Sequence, residues 1–211
     1  MNYAQLVAAI QSYTENQFTT TDVDIFIRQA EQRVYNSVQL PALRKNVTGS
    51  MTTGNKYLAS PSDWLATFSL AVINANNVYS YLLNKDVNFI RQSFPDTDSA
   101  DYGQPEYYAV FDNNTFILGP TPDSNYNVEL HYFYYPESIV DAGTSWLGNN
   151  FDSVLLYGSL LEAYTYMKGE SDVMTQYQKR YDDGMAMLKQ LGDGKERGDA
   201  YRNGQVRYPV S

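Results

Sequence analysis

The placement of helix breakers constrains this chain more than any other feature. Gly49, Gly54, Pro61, Pro95, Gly103, Pro105, Gly119, Pro120, Pro122, Pro136 and Gly143 divide residues 42–148 into short pieces. Proline removes a backbone donor and clashes with the preceding turn, and glycine costs about 1 kcal/mol at a helical position. Helices of ordinary length do not fit in that stretch. On either side of it, apolar residues recur at helical spacing.

Tyr3, Leu6, Val7, Ile10 and Tyr13 share one helical face, with Asn2 placed to cap the exposed amides. Thr21, with Asp24 three residues on, has the spacing of a capping box ahead of Val23, Phe26, Ile27, Ala30, Val34 and Val38. A second helix is therefore expected over roughly 22–38, stopped by Pro41. Past the middle stretch, Asn150 is placed to cap a third helix over 151–168, whose wide apolar face includes Val154, Leu155, Leu160, Leu161 and Met167. Gly169 ends it. Ser171 is placed to cap a fourth helix, which Val173, Tyr177, Tyr181, Met185, Leu188 and Leu191 carry to near Gly192.

Within 42–148 the period changes to two. Val47, Gly49 and Met51 alternate before a turn at Thr53-Gly54-Asn55, and Lys56-Tyr57-Leu58 read as the return strand of a hairpin. Tyr107–Phe111 and Thr115–Leu118 flank Asp112-Asn113-Asn114 as a second hairpin. Tyr126, Val128, Leu130, Tyr132 and Tyr134 alternate as the core-facing set of a long strand. Asn84 is placed to cap a short helix through Val87, Phe89, Ile90 and Phe94. From Trp64 to Asn84 there is no charged residue, a length close to the ~20 residues that span a bilayer. Asn74, Asn76 and Asn77 at its middle would each lose hydration in hydrocarbon, so two water-soluble elements joined by an Asn-rich turn are expected instead. No strand run alternates with crossover helices, which disfavours a parallel sheet. The expected class is α+β: a four-helix bundle (1–41 and 149–191) interrupted by an antiparallel β insertion (42–148), with a flexible C-terminal arm (192–211).

Composition narrows the chemistry. There is no cysteine, which excludes disulfides, thiolate metal sites and thiol nucleophiles. Any imidazole mechanism would have to run through the single histidine, His131, which falls in the alternating strand pattern. Asp96, Asp98 and Asp101 cluster in one loop, but Ala100 and Asp101 stand where an EF-hand loop needs a ligand and a glycine. Asp182 and Asp183 point about 100° apart on a helix and cannot converge. Phosphate-loop, nucleophile-elbow and zinc-helix motifs are missing, so no enzyme and no cofactor is expected. The N-terminus reads as lacking a signal peptide, which implies synthesis in the cytoplasm. A net charge of −9 opposes phosphate tracking.

The last twenty residues differ from the rest. They hold four glycines, four bases (Lys195, Arg197, Arg202, Arg207), three acids and no Leu, Ile, Met or Phe. Such a segment cannot pack a core of its own, and Tyr201, Val206, Tyr208 and Val210 are spaced as anchors on a partner. Arg197-Gly198-Asp199 spells an adhesion tripeptide and is read as coincidence.

The order of several segments resembles a known family. They run from the Val23–Val38 helix with Ala30-Glu31, through Pro61-Ser62-Asp63-Trp64-Leu65, Pro105-Glu106-Tyr107-Tyr108 and Leu118-Gly119-Pro120-Thr121-Pro122-Asp123, to Val128–Tyr135 ending in Pro136, then Trp146-Leu147, Phe151-Asp152 and Glu162-Ala163. The chain resembles, over nearly its full length, the head-to-tail adaptors of short-tailed bacteriophages, the tail tubular protein A or head-completion group. The resemblance implies a helical bundle with a β insertion, assembled as a dodecameric ring between portal and tail nozzle in the virion neck. The C-terminal arm would reach the portal, and Arg197, Tyr201, Arg202, Arg207 and Tyr208 are its candidate contacts. DNA would pass through the channel without specific binding. An alternative that the family leaves open is a carbohydrate-binding or polysaccharide-degrading tail protein, using the tyrosines of the insertion (Tyr102, Tyr107, Tyr108, Tyr126, Tyr132, Tyr134, Tyr135) with carboxylates.

Overall fold

In the computed structural model, which describes residues 1–95 and 98–196, the chain is a mixed α+β protein with seven α-helices and two four-stranded sheets among the described residues. The helices are α1 (Tyr3–Thr14), α2 (Thr20–Ser37), α3 (Val87–Ser93), α4 (Ile139–Ala142), α5 (Trp146–Asn150), α6 (Asp152–Met167) and α7 (Ser171–Glu196). The strands are β1 (Arg44–Ser50), β2 (Tyr57–Ala59), β3 (Ala66–Ile73), β4 (Tyr79–Tyr81), β5 (Leu83–Asn84), β6 (Tyr107–Asp112), β7 (Thr115–Gly119) and β8 (Asn127–Phe133). They fall into two compact units, Met1–Leu43 with the chain from Pro136 on, and Arg44–Tyr135. Residues 136–148, assigned to the insertion by their Pro and Gly punctuation, form α4 and α5 and cluster with the helical unit. None of the described helices is long and apolar enough to cross a membrane.

In the helical unit α6 packs against α1, α2 and α7. Its apolar residues surround it almost completely: Val154, Leu155, Leu156, Leu160, Leu161 and Ala163 are all buried. A helix apolar on most sides must be covered on most sides. Glycines allow the close approach. A Cβ at Gly158 would lie 3.1 Å from the Ala30 methyl of α2, and one at Gly184 of α7 only 2.7 Å from Val154 of α6.

Caps set the boundaries. At α1, Asn2 Oδ1 accepts from Gln5 N (2.9 Å) and Gln5 Oε1 accepts from Asn2 N (3.0 Å), a complete capping box. At α2 the cap is Thr19, whose Oγ1 accepts from Asp22 N, and not Thr21. Both threonines have an acid three residues on, and Phe18, edge-on to Phe26 at 5.3 Å, fixes where the chain enters. Asn150 does not cap α6; it ends the one-turn helix α5, donating its amide to Trp146 O (2.8 Å), Ser145 caps α5 through Gly148 N, and α6 begins without a side-chain cap. At the far end α7 continues past Gly192 to Glu196, and a Cβ at Gly192 would lie 2.7 Å from Gln39 O.

The β unit is a sandwich. One sheet has the order β1-β8-β3-β4 and the other β2-β7-β6-β5. Met51, Leu70, Val72, Leu82, Tyr108, Phe116, Leu118, Val128, Leu130 and Tyr132 fill the space between them. α3 covers the second sheet's other face through Ile90, against Ala109 and Ile117. The alternation of β8 and the β6–β7 hairpin are as expected. So is the break in the uncharged run, where Asn74 Oδ1 accepts from Asn76 N and Val78 N between β3 and β4.

Three expectations fail here. Val47–Met51 and Lys56–Leu58 do not pair: β1 joins β8, β2 joins β7, and the turn between them carries the chain from one sheet to the other. A hairpin signature specifies a reversal but not whether the returning strand pairs with its predecessor or faces it. The insertion is also not wholly antiparallel, since β5 runs parallel to β6 with α3 in the connection. α3 is capped by Asp86, whose Oδ1 accepts from Asn88 N, while Asn84 donates to the Tyr108 hydroxyl.

Candidate functional site

The residues that could carry chemistry are scattered. His131 lies on the outer face of its sheet with its ring against Phe68, centroids 4.9 Å apart. Asp98 Oδ1 caps a short 3-10 turn through Ala100 N, and Asp96 lies outside the described residues. Among the described residues no three His, Asp or Glu side chains gather where a metal ion would sit. Asp182 and Asp183 are exposed on α7, where Gln178 donates to Asp182 (2.8 Å). The proposed arm contacts Arg197, Tyr201, Arg202, Arg207 and Tyr208 lie outside the described residues, as does Arg197-Gly198-Asp199.

Most of the insertion's tyrosines serve packing. Tyr132 and Tyr108 are core residues, and Tyr126 and Tyr134 pack half-buried against the same core. Tyr107 lies against Phe89 and Phe94 of the α3 layer. Tyr132 donates to Asp63 Oδ1 (2.7 Å), whose other oxygen accepts from Lys45 Nζ (2.8 Å). Lys45 and Tyr132 together hold the Asp63 carboxyl below the ordinary carboxylate range. Tyr126 donates to Asp123, and its hydroxyl pKa is pushed up to about 12. Hydroxyls spent in this way are not free to meet a sugar.

A groove of ≈ 500 Å³ opens between β1 and β2, lined by Val47, Met51, Leu58, Val128, Leu130 and neighbouring residues, with no carboxylate among them. Glycoside cleavage needs two converging carboxyls, and this groove offers none.

What the β unit does present is exposed aromatic and aliphatic surface. Phe68, Tyr79, Tyr81 and Leu83 are 51%, 47%, 65% and 60% exposed. The Arg44 guanidinium covers Phe68 at 4.3 Å, Lys85 lies over Phe89 and Tyr107, and Arg91 lies over Phe111. Aromatic and Arg side chains in open rows, unlike a walled pocket, are what a structural subunit offers to its neighbours. Tyr79 and Tyr81 did not stand out in the sequence; in the structure exposure alternates from Tyr79 to Leu83, with Ser80 and Leu82 turned inward.

Residues 1–208 match the model of the SU10 adaptor protein family, and the chain belongs to that family, one of structural phage adaptors. The resemblance read from the order of its segments is thereby confirmed. No curated protein matches the chain.

Proposed function

We propose that the protein is the subunit of a dodecameric ring that joins the portal to the tail nozzle in the neck of a tailed phage virion. The match to the adaptor family over residues 1–208 carries this reading. The helical unit would act as a bundle of its four long helices around α6, and the exposed aromatic rows of the β unit would be covered by neighbours. The chain is made in the host cytoplasm and works without catalysis or cofactor. DNA crosses the ring without being gripped: the net charge is −9, so twelve copies surround the lumen with negative potential that repels phosphate within a Debye length of about 8 Å.

The segment from Arg197 on is the proposed portal contact, through Arg197, Tyr201, Arg202, Arg207 and Tyr208. Spaced aromatic and basic anchors in a chain without core residues suit a segment that orders on its partner. Deleting residues 197–211 is expected to abolish portal binding while leaving the far-ultraviolet circular dichroism per residue and the thermal midpoint close to those of the full chain. Unchanged affinity for the portal after the deletion would remove the arm from the interface.

A further inference from the structure

We propose, building on the ring reading, that the sheet β1-β8-β3-β4 continues from subunit to subunit, with β4 of one copy pairing with β1 of the next. Its two edges are open and face opposite ways. β1 pairs on one side with β8, and β4 on one side with β3; neither has a second partner strand among the described residues.

The register shows which backbone groups point outward. Met51 N donates to Tyr126 O, so the odd-numbered residues of β1 bond to β8, and Asn46, Thr48 and Ser50 turn their N–H and C=O groups to the open edge. Leu82 N donates to Leu70 O and Asn74 N to Val78 O, so on β4 the groups of Tyr79 and Tyr81 point outward. Three successive antiparallel pairings make β4 antiparallel to β1. A neighbour held in the same orientation thus presents its β1 antiparallel to this β4. The side chains that come opposite one another, Tyr79 and Tyr81 against the small polar Asn46, Thr48 and Ser50, all lie on the outer face of the sheet. The core face continues as core face.

Charge agrees with that direction. Antiparallel pairing sets the Tyr81 end of β4, where Glu106 shares a notch with Tyr81 and Leu83, beside the end of β1 that carries Arg44, and Lys45 with its partner Asp63. Along most of their length the edges also lack charge and proline. Free edges are ordinarily blunted by charge, proline, a bulge or shortness. β1 holds its two charges, Arg44 and Lys45, at one end, whereas Asn46–Ser50 contains no charge and no proline, and neither does Val78–Asn84 around the three-residue β4. In the second sheet a blunting residue flanks each edge: β2, as short as β4, lies between Lys56 and Pro61, and β5 is two residues followed by Lys85-Asp86. The two open edges of the first sheet complement each other in strand direction and in the backbone groups they turn outward. Because the two edges are different surfaces, the contact is head-to-tail, the kind that closes into a ring.

The chain has no cysteine, so introduced thiols act alone. In full-length protein assembled on the portal, Thr48→Cys with Tyr81→Cys in one chain should give a ladder of multimers with a short thiol crosslinker. Either single variant alone should stay monomeric on a denaturing gel, and the two singles mixed should stop at dimers. Thr48→Pro is the second arm: its N–H faces the open edge, so proline costs no bond to β8 and blocks pairing. It should keep the wild-type melting curve and lose the ring. Rings that form without a ladder and survive Thr48→Pro would overturn the shared sheet and leave the ring reading standing. Dimers from either single variant would also overturn it, by showing a contact of like edges. Failure of the unmodified chain to form any ring would overturn both.

Discussion

Tyr132→Ala is expected to unfold the β unit well below the melting temperature of the intact protein. Tyr132 is fully buried, on the central strand β8, between the two sheets. Truncation removes a ring that packs with the core and leaves a cavity the sheets cannot close, a loss of about 3–5 kcal/mol. That is a large share of the 5–15 kcal/mol that holds a typical domain together. Tyr132→Phe separates the hydroxyl from the ring. It removes only the bond to Asp63, which keeps Lys45 as a partner, and should cost about 1 kcal/mol. Denaturant melts followed by near-ultraviolet circular dichroism would distinguish the two variants. A Tyr132→Ala protein with unchanged midpoint would mean that the core does not lie where β8 puts it.

The second large effect is expected at Glu31. This carboxylate on α2 is 3% exposed, and its Oε1 accepts from Ile139 N (3.0 Å), the first amide of α4. Burial raises its pKa above the ordinary glutamate value, against the opposing bonds from Ser138 and Ile139 and the nearby Arg28. Glu31→Ala strips the amide of its acceptor and leaves a void, for about 3 kcal/mol and a midpoint lower by about 6–12 °C. Glu31→Gln keeps an acceptor and removes the charge. The sign follows from the raised folded-state pKa: the folded form holds the proton more tightly than the unfolded one. Stability is therefore highest below the unfolded value near 4.5 and falls as pH rises through the folded value. Glu31→Gln should match wild type at pH 4 and exceed it at pH 7. Thermal midpoints measured across that range test this, and a Gln variant less stable at pH 7 than at pH 4 relative to wild type would reverse it.

The long elements were legible in the sequence because each carries a period over many residues. α1, α2, α6 and α7 repeat an apolar face over three or more turns, and β8 alternates cleanly because one of its faces is core. What escaped was short or tertiary. α4 and α5 span four and five residues, too few for a period to appear. The crossing of Met51–Lys56 from one sheet to the other has the local chemistry of a hairpin, and only the core contacts of Met51 and Leu58 distinguish the two. β5 pairs over two residues, and its parallel direction follows from α3 lying in the connection. The interaction surface was legible only in part. Of the insertion's tyrosines singled out in the sequence for a carbohydrate surface, Tyr108 and Tyr132 are core residues. Tyr79 and Tyr81 became candidates once the sheet order placed them on an edge, and sheet order is a property of long-range pairing that no local pattern encodes.

The most direct test of the account is native mass spectrometry of the full-length chain mixed with its portal ring, followed by cryo-electron microscopy of the complex. The ring requires a single dominant species of one portal plus twelve copies of this chain, with the copies in one closed ring and a continuous lumen. A chain that stays monomeric beside unliganded portal would contradict it.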